Sequence, residues 1–131
     1  MSTSPTTEMT ESTATPATTP AFDPYFDPAA TPWTELGDGI RRRIVAHTSQ
    51  LMSVLVQFDK GAIGTPHAHE VHDQIAYVLS GSFEAEVAGV KRVLRVGDAF
   101  VAPHGHLHGV VALEADSTLL DQFSPPRADY L

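Results

Sequence analysis

No cysteine occurs in the 131 residues. A disulfide framework and a thiolate metal site are both excluded, so any metal must be held by nitrogen and oxygen donors. No apolar run comes near the ~20 residues of a membrane-spanning helix. The first 31 residues, MSTSPTTEMTESTATPATTPAFDPYFDPAAT, contain no lysine or arginine. They therefore lack the basic start and apolar stretch of a secretory signal and the arginines of a transit peptide. The expectation is a cytoplasmic protein with no membrane partner. Basic residues are scarce throughout, 8 against 16 acids for a net charge of −8, which argues against nucleic acid as a partner. Helical periodicity is missing as well, since from Trp33 onward no window repeats at 3.6 residues for long enough to count.

What is present divides the chain in two. Residues 1–31 are rich in Thr, Pro, Ser and Ala and carry four acids, Glu8, Glu11, Asp23 and Asp27. Such a segment buries too little to offset its ordering entropy, and a disordered or extended N-terminal tail is expected. Its aromatic phrase FDPYFDP, residues 22–28, is able to dock on the domain or on a partner chain. Residues 32–131 then form a single domain with one modest core.

Within that domain short β-branched runs are punctuated by Gly, Pro and Asp, the pattern of an all-β sandwich or barrel. Strands are expected near Ile40 to Ala46, Leu51 to Phe58, Gln74 to Leu79, Phe83 to Ala88, Val93 to Val96, Phe100 to Ala102, His108 to Ala112 and Thr118 to Phe123. Strand side chains alternate between faces. Gln74 therefore shares a face with Ala76 and Val78, and Asp121 with Leu119 and Phe123. A polar group on an otherwise apolar face needs a partner or a purpose.

Two boxes carry the chemistry. GAIGTPHAHEVHDQIAYVLSG fits G-x5-H-x-H-x4-(E/Q)-x6-G through Gly61, His67, His69, Gln74 and Gly81. GDAFVAPHGHLHGV fits G-x5-P-x-G-x2-H through Gly97, Pro103, Gly105 and His108. In this order and about sixteen residues apart, the nine positions resemble the cupin superfamily. The resemblance implies a small single-domain jelly-roll β-barrel that binds one divalent metal inside it. The spacing agrees: His67 and His69 on one strand face can reach one ion, His108 arrives from a neighbouring strand, and Gln74 closes the set. His47, His72, His104 and His106 are expected at the surface or the pocket mouth.

A narrower resemblance, to the KdgF family of small cupins, rests on the HxH...Q...H combination, the run LGDGIRRRI and the ending LLDQFSPPRADYL. It implies a metal site of His67, His69, Gln74 and His108, holding one divalent transition ion (Ni, Zn, Fe, Mn or Co). It also implies a catalytic Asp121, a substrate-binding Phe123, and an Arg127 that grips the substrate carboxylate and serves catalysis. The implied activity converts 4,5-unsaturated monouronates, released by pectate and alginate lyases, into the linear 4-deoxy-5-keto uronate. A cupin dioxygenase and a non-enzymatic sugar-binding cupin are the alternatives. By family analogy a homodimer paired through sheet edges is expected. In the run Arg41–Arg43 the long stems are expected to cover apolar surface, with Arg41 or Arg43 a weaker candidate as a second carboxylate binder.

Overall fold

The structure, a computed structural model, describes residues 18–131. The N-terminal part of the tail, residues 1–17, lies outside the described residues, and with it that part of the expectation for residues 1–31. Ten strands follow one another: β1 (Thr34–Gly37), β2 (Ile40–His47), β3 (Met52–Phe58), β4 (Ile63–His67), β5 (Asp73–Ser80), β6 (Ser82–Val87), β7 (Val90–Arg95), β8 (Ala99–Ala102), β9 (His108–Ala112) and β10 (Ser117–Ser124). They form two antiparallel sheets, of order β1-β2-β3-β10-β5-β8 and β4-β9-β6-β7, the all-β cupin architecture expected.

Two strands were not expected. β1 is short and exposed along its whole length. Its signal is the Asp38–Gly39 pair, whose φ values of 57° and 79° give a tight hairpin into β2. β4 carries Gly64 and Pro66, which read as a loop. It is tolerated because β4 is an edge strand, and its register with β9 breaks between Gly64 and His67.

The inner faces follow the period of two. β3 sends in Met52, Val54 and Phe58, β10 Leu119 and Phe123, β5 Ala76 and Val78, β6 Phe83 and Ala85, and β9 Val110 and Ala112. Phe58 and Phe83 meet edge to face at 5.1 Å across the sandwich, the preferred arrangement of two rings. Asp121 interrupts this core. It stands between Val54 of β3 and Ala76 of β5, so the apolar face noted in the sequence encloses a carboxyl group.

The described end of the tail is tied to the domain by Arg43. Its guanidinium donates to the carbonyls of Thr31 at 3.1 Å and Pro28 at 3.3 Å and lies over the Trp33 ring at 4.3 Å. Of the tail aromatics, Phe26 is half-buried, and Phe22 and Tyr25 are exposed.

Candidate functional site

Cross-strand pairing begins the site. His67, the last residue of β4, pairs with His108, the first of β9, and their rings stand 4.5 Å apart. His69 lies beyond the end of β4, so the two histidines do not share a strand face as the spacing suggested. β4 ends at His67, and a turn delivers His69 instead. That turn is held by the Gly105 N–H, which donates to the His69 carbonyl at 2.6 Å. The Pro103–His106 turn is in turn fastened to β5 through the His104 N–H and Asp73 Oδ1, 2.9 Å apart. The loops on either side of the site thus support each other. The result brings ligand atoms of His67, His69 and His108 within 4.8 Å of one another, and the Gln74 Oε1 to 3.1 Å from His69 Nε2.

The ring nitrogens are oriented for ligation. Nδ1–H of His67 donates to the Thr65 carbonyl at 2.8 Å, and that of His108 to the His106 carbonyl at 3.1 Å. Fixing the proton on Nδ1 leaves a lone pair on Nε2, the arrangement that ligating histidines use. His108 Nε2 is buried with no hydrogen-bond partner, a costly state unless something binds there. Burial pushes the pKa of His69 down to about 4, helped by the charges of Arg127 and His67. Burial also lowers that of His108. Both rings are neutral donors near pH 7. Three imidazoles and an amide oxygen fit a divalent transition-metal ion.

Beside this group stands Asp121. Burial raises its pKa to about 7, with the Gln74 amide and the Arg127 charge acting in the opposite sense. Its Oδ1 has no partner. Phe123, across the ladder from Gln74, is buried and meets the His69 ring edge to face at 5.7 Å. Arg127 donates from Nε and Nη2 to the two oxygens of Asp129, at 3.0 and 2.8 Å, and lies over the Tyr130 ring at 4.4 Å. A cavity of about 150 Å³ is lined by His67, Gln74, His108, Asp121, Phe123 and Arg127.

The same cavity is lined by Arg42, Phe100 and Tyr130, none of which was singled out from the sequence. The signal for Arg42 was the alternation Ile40, Arg42, Ile44 along β2, which turns the middle arginine inward. Arg41 and Arg43, the candidates for a second carboxylate binder, face away from the cavity. Arg41 is held by Gln57 at 2.9 Å and Asp59 at 3.0 Å, and Arg43 by the tail. His47, His104 and His106 are exposed and His72 half-buried. His72 Nε2 stands 3.2 Å from the Pro126 carbonyl, beside the segment that carries Arg127.

The close pairing of β4 with β9 depends on Gly109. A Cβ there would meet Pro66 Cγ at 2.9 Å and the Gly64 carbonyl at 3.0 Å, forcing apart the strands that bear His67 and His108. Gly109→Ala is expected to weaken metal binding about tenfold or more, as for disturbed supports of other metal ligands, while the chain still folds. Competitive titration against a metallochromic chelator reads the change, and an unaltered affinity would show that the strand spacing does not set the site.

Residues 54–120 match the model of the cupin domain family. The chain is 59% identical over 101 residues to the pectin degradation protein KdgF of Dickeya dadantii (strain 3937), a match spanning 77% of this chain and 92% of that protein. The structure of KdgF from Halomonas sp. superposes with a TM-score of 0.82 at 55% identity, covering 84% of this chain and all of that one. An RmlC-like cupin from Shewanella frigidimarina NCIMB 400 gives a TM-score of 0.79 at 37% identity, over 84% and 97% of the two chains.

Proposed function

The chain belongs to the KdgF family of cupins, and from that footing we propose that it is a metal-dependent enzyme that opens 4,5-unsaturated monouronates to the linear 4-deoxy-5-keto uronate. The observation that carries this reading is the buried carboxyl of Asp121, its Oδ1 without a partner, in one small cavity with His67, His108 and Arg127. The cavity of about 150 Å³ has room for a single six-membered ring.

His67, His69, Gln74 and His108 would hold one divalent transition-metal ion. Such an ion supplies Lewis acidity toward negative charge developing on oxygen. The rest of the chemistry falls to side chains of this chain. Asp121 takes the proton of the C1 hydroxyl. The electron pair left on that oxygen forms the C1 carbonyl, the bond from C1 to the ring oxygen breaks, and an enolate remains across C4, C5 and the former ring oxygen. Asp121 then returns a proton to C4, completing the ketone at C5. A carboxyl with a pKa of about 7 is suited to accept and release one proton near neutral pH. Arg127 grips the substrate carboxylate through the donors that Asp129 leaves uncommitted, and Phe123 forms an apolar wall against the ring. Run in D2O, the reaction should place one solvent deuterium at C4 of the product, detected by NMR. A product without deuterium at C4 would exclude this proton path.

Gln74 bears on the chemistry through its charge. A carboxylate at this position would neutralise part of the ion's charge, whereas an amide leaves the full Lewis acidity in place. Gln74→Glu is expected to keep the metal and turn over about tenfold more slowly, a barrier rise of ~1.4 kcal/mol. Equal turnover by the fully loaded variant would show that the amide was not selected for acidity.

A homodimer and a cytoplasmic location belong to the same proposal. The outer face of β5 and the edge strand β8 expose Ile75, Tyr77, Leu79 and Val101, an apolar surface suited to a second copy. No helix among the described residues is long and apolar enough to cross a membrane. Sedimentation analysis at micromolar concentration decides the oligomeric state, and a monomer there would remove the dimer from the proposal.

A further inference from the structure

Two guanidiniums stand over one tyrosine ring in the cavity, Arg42 at 3.7 Å from the Tyr130 centroid and Arg127 at 4.4 Å. Their situations differ. Arg127 has Nε and Nη2 committed to both oxygens of Asp129. Arg42 makes no side-chain hydrogen bond or close ion pair among the described residues, and its backbone is held in the sheet between Thr34 of β1 and Val56 of β3. A half-buried guanidinium with its whole donor fork uncommitted, lining a cavity beside a stacking partner, is arranged to receive a planar anion. The two cations thus flank one ring and face the same cavity. The charge of Arg127 is felt by His69, His108 and Asp121. Both charges are felt at Tyr130 and Asp129, that of Arg42 at these two alone.

We infer that Arg42 is a second anion-binding residue of this cavity, sharing the carboxylate of a monouronate with Arg127 and making the site select that anion over a neutral sugar of the same ring size. The inference rests on the monouronate reading above and deepens it. Two cations directed at one carboxylate, with only Asp129 paired to one of them, leave an excess of positive charge that a neutral hexose does not use. Arg42 is thus a binding and specificity residue, and Asp121 keeps the proton transfers.

The test compares wild type with Arg42→Met, which retains the packing of the stem over Tyr130 and removes the donors, and with Arg42→Lys, which retains the charge and loses the fork. Calorimetric titration of the metal-loaded proteins with galacturonate, a saturated monouronate, and with neutral galactose supplies a readout independent of turnover. Arg42→Met is expected to weaken galacturonate binding about tenfold or more, the weight of one hydrogen bond to a charged group, and to leave galactose binding unchanged. Arg42→Lys should fall between. With the unsaturated substrate, KM should rise by a similar factor and kcat stay within about twofold. Galacturonate affinity equal in wild type and Arg42→Met, or no galacturonate binding by wild type, overturns the inference. An Arg42→Met protein that merely melts earlier, with affinity and KM unaltered, also overturns it, because Arg42 is then only packing. Absence of turnover by wild type would instead strike the parent reading, and the galacturonate comparison would still decide Arg42.

Discussion

Asp121→Asn is expected to lower turnover of an unsaturated monouronate about a hundredfold or more, the usual weight of a positioned general acid or base, with fold and metal content preserved. The amide is close in shape to the carboxyl, so it does not disturb the packing between Val54 and Ala76, but it neither takes nor returns a proton. The same change should raise stability, for a reason that can be read from the direction of the pKa shift. Below about pH 4 the carboxyl is protonated in both folded and unfolded chains, and burial costs nothing. Between its ordinary pKa of 3.8 and the folded value of about 7, the unfolded chain ionises first, and folded stability declines as pH rises. Above 7 the full cost remains. Chelated wild type and Asp121→Asn should therefore melt close together at pH 4 and diverge toward pH 8, with the variant the more stable. A variant that loses activity and also stability at pH 8 would mark Asp121 as a structural acceptor. Near-normal kcat would send the proton through water or a histidine.

Loss of His108 should have the second large effect. His108→Ala removes the one histidine nitrogen that, among the described residues, is buried without a partner and leaves His67 facing a cavity in place of its cross-strand mate. Metal content after purification without chelator is expected to fall from one ion per chain to a small fraction, and turnover with it. Elemental analysis of the two proteins, prepared side by side, checks this. Full occupancy in His108→Ala would take His108 out of the ligand set and leave its buried nitrogen unexplained. His67→Ala should lose metal as well. His106→Ala should keep it, since His106 is exposed and its Nδ1 donates to the carbonyls of Pro103 and His104.

How much of this was legible beforehand varies by residue. Gln74 and Asp121 were traced by alternation alone, because each sits on a strand whose neighbours on that face are apolar, and both are buried as that pattern required. The box spacing brought His67, His69 and His108 together, although the shared strand face proposed for the first two gave way to a strand end followed by a turn. Pro66, three residues before His69, was the warning, since a proline marks an irregular edge strand on which an alternation argument fails. β1 was missed because four exposed residues carry no hydrophobic period, and its evidence lay in the turn chemistry of Asp38–Gly39. Arg42 was missed for a different reason. The stems of Arg41–Arg43 were expected to cover apolar surface, with Arg41 or Arg43 as the candidate binder, yet a strand turns the middle residue opposite to its neighbours, and here that direction is inward. Tyr130 lies in a short turn at the C-terminus, where no strand period exists to aim a side chain, and only the fold places it over the pocket.

The central claim is that the buried carboxyl and the histidine group act together on an unsaturated monouronate. It is met most directly by following the absorbance of that substrate's conjugated double bond without O2, using purified protein before chelation, after chelation, and after a divalent metal is restored. The account predicts steady loss of absorbance without O2, its arrest on chelation, and its return with metal. Absorbance that persists with fully metal-loaded wild-type protein, or a loss that requires O2, would contradict it.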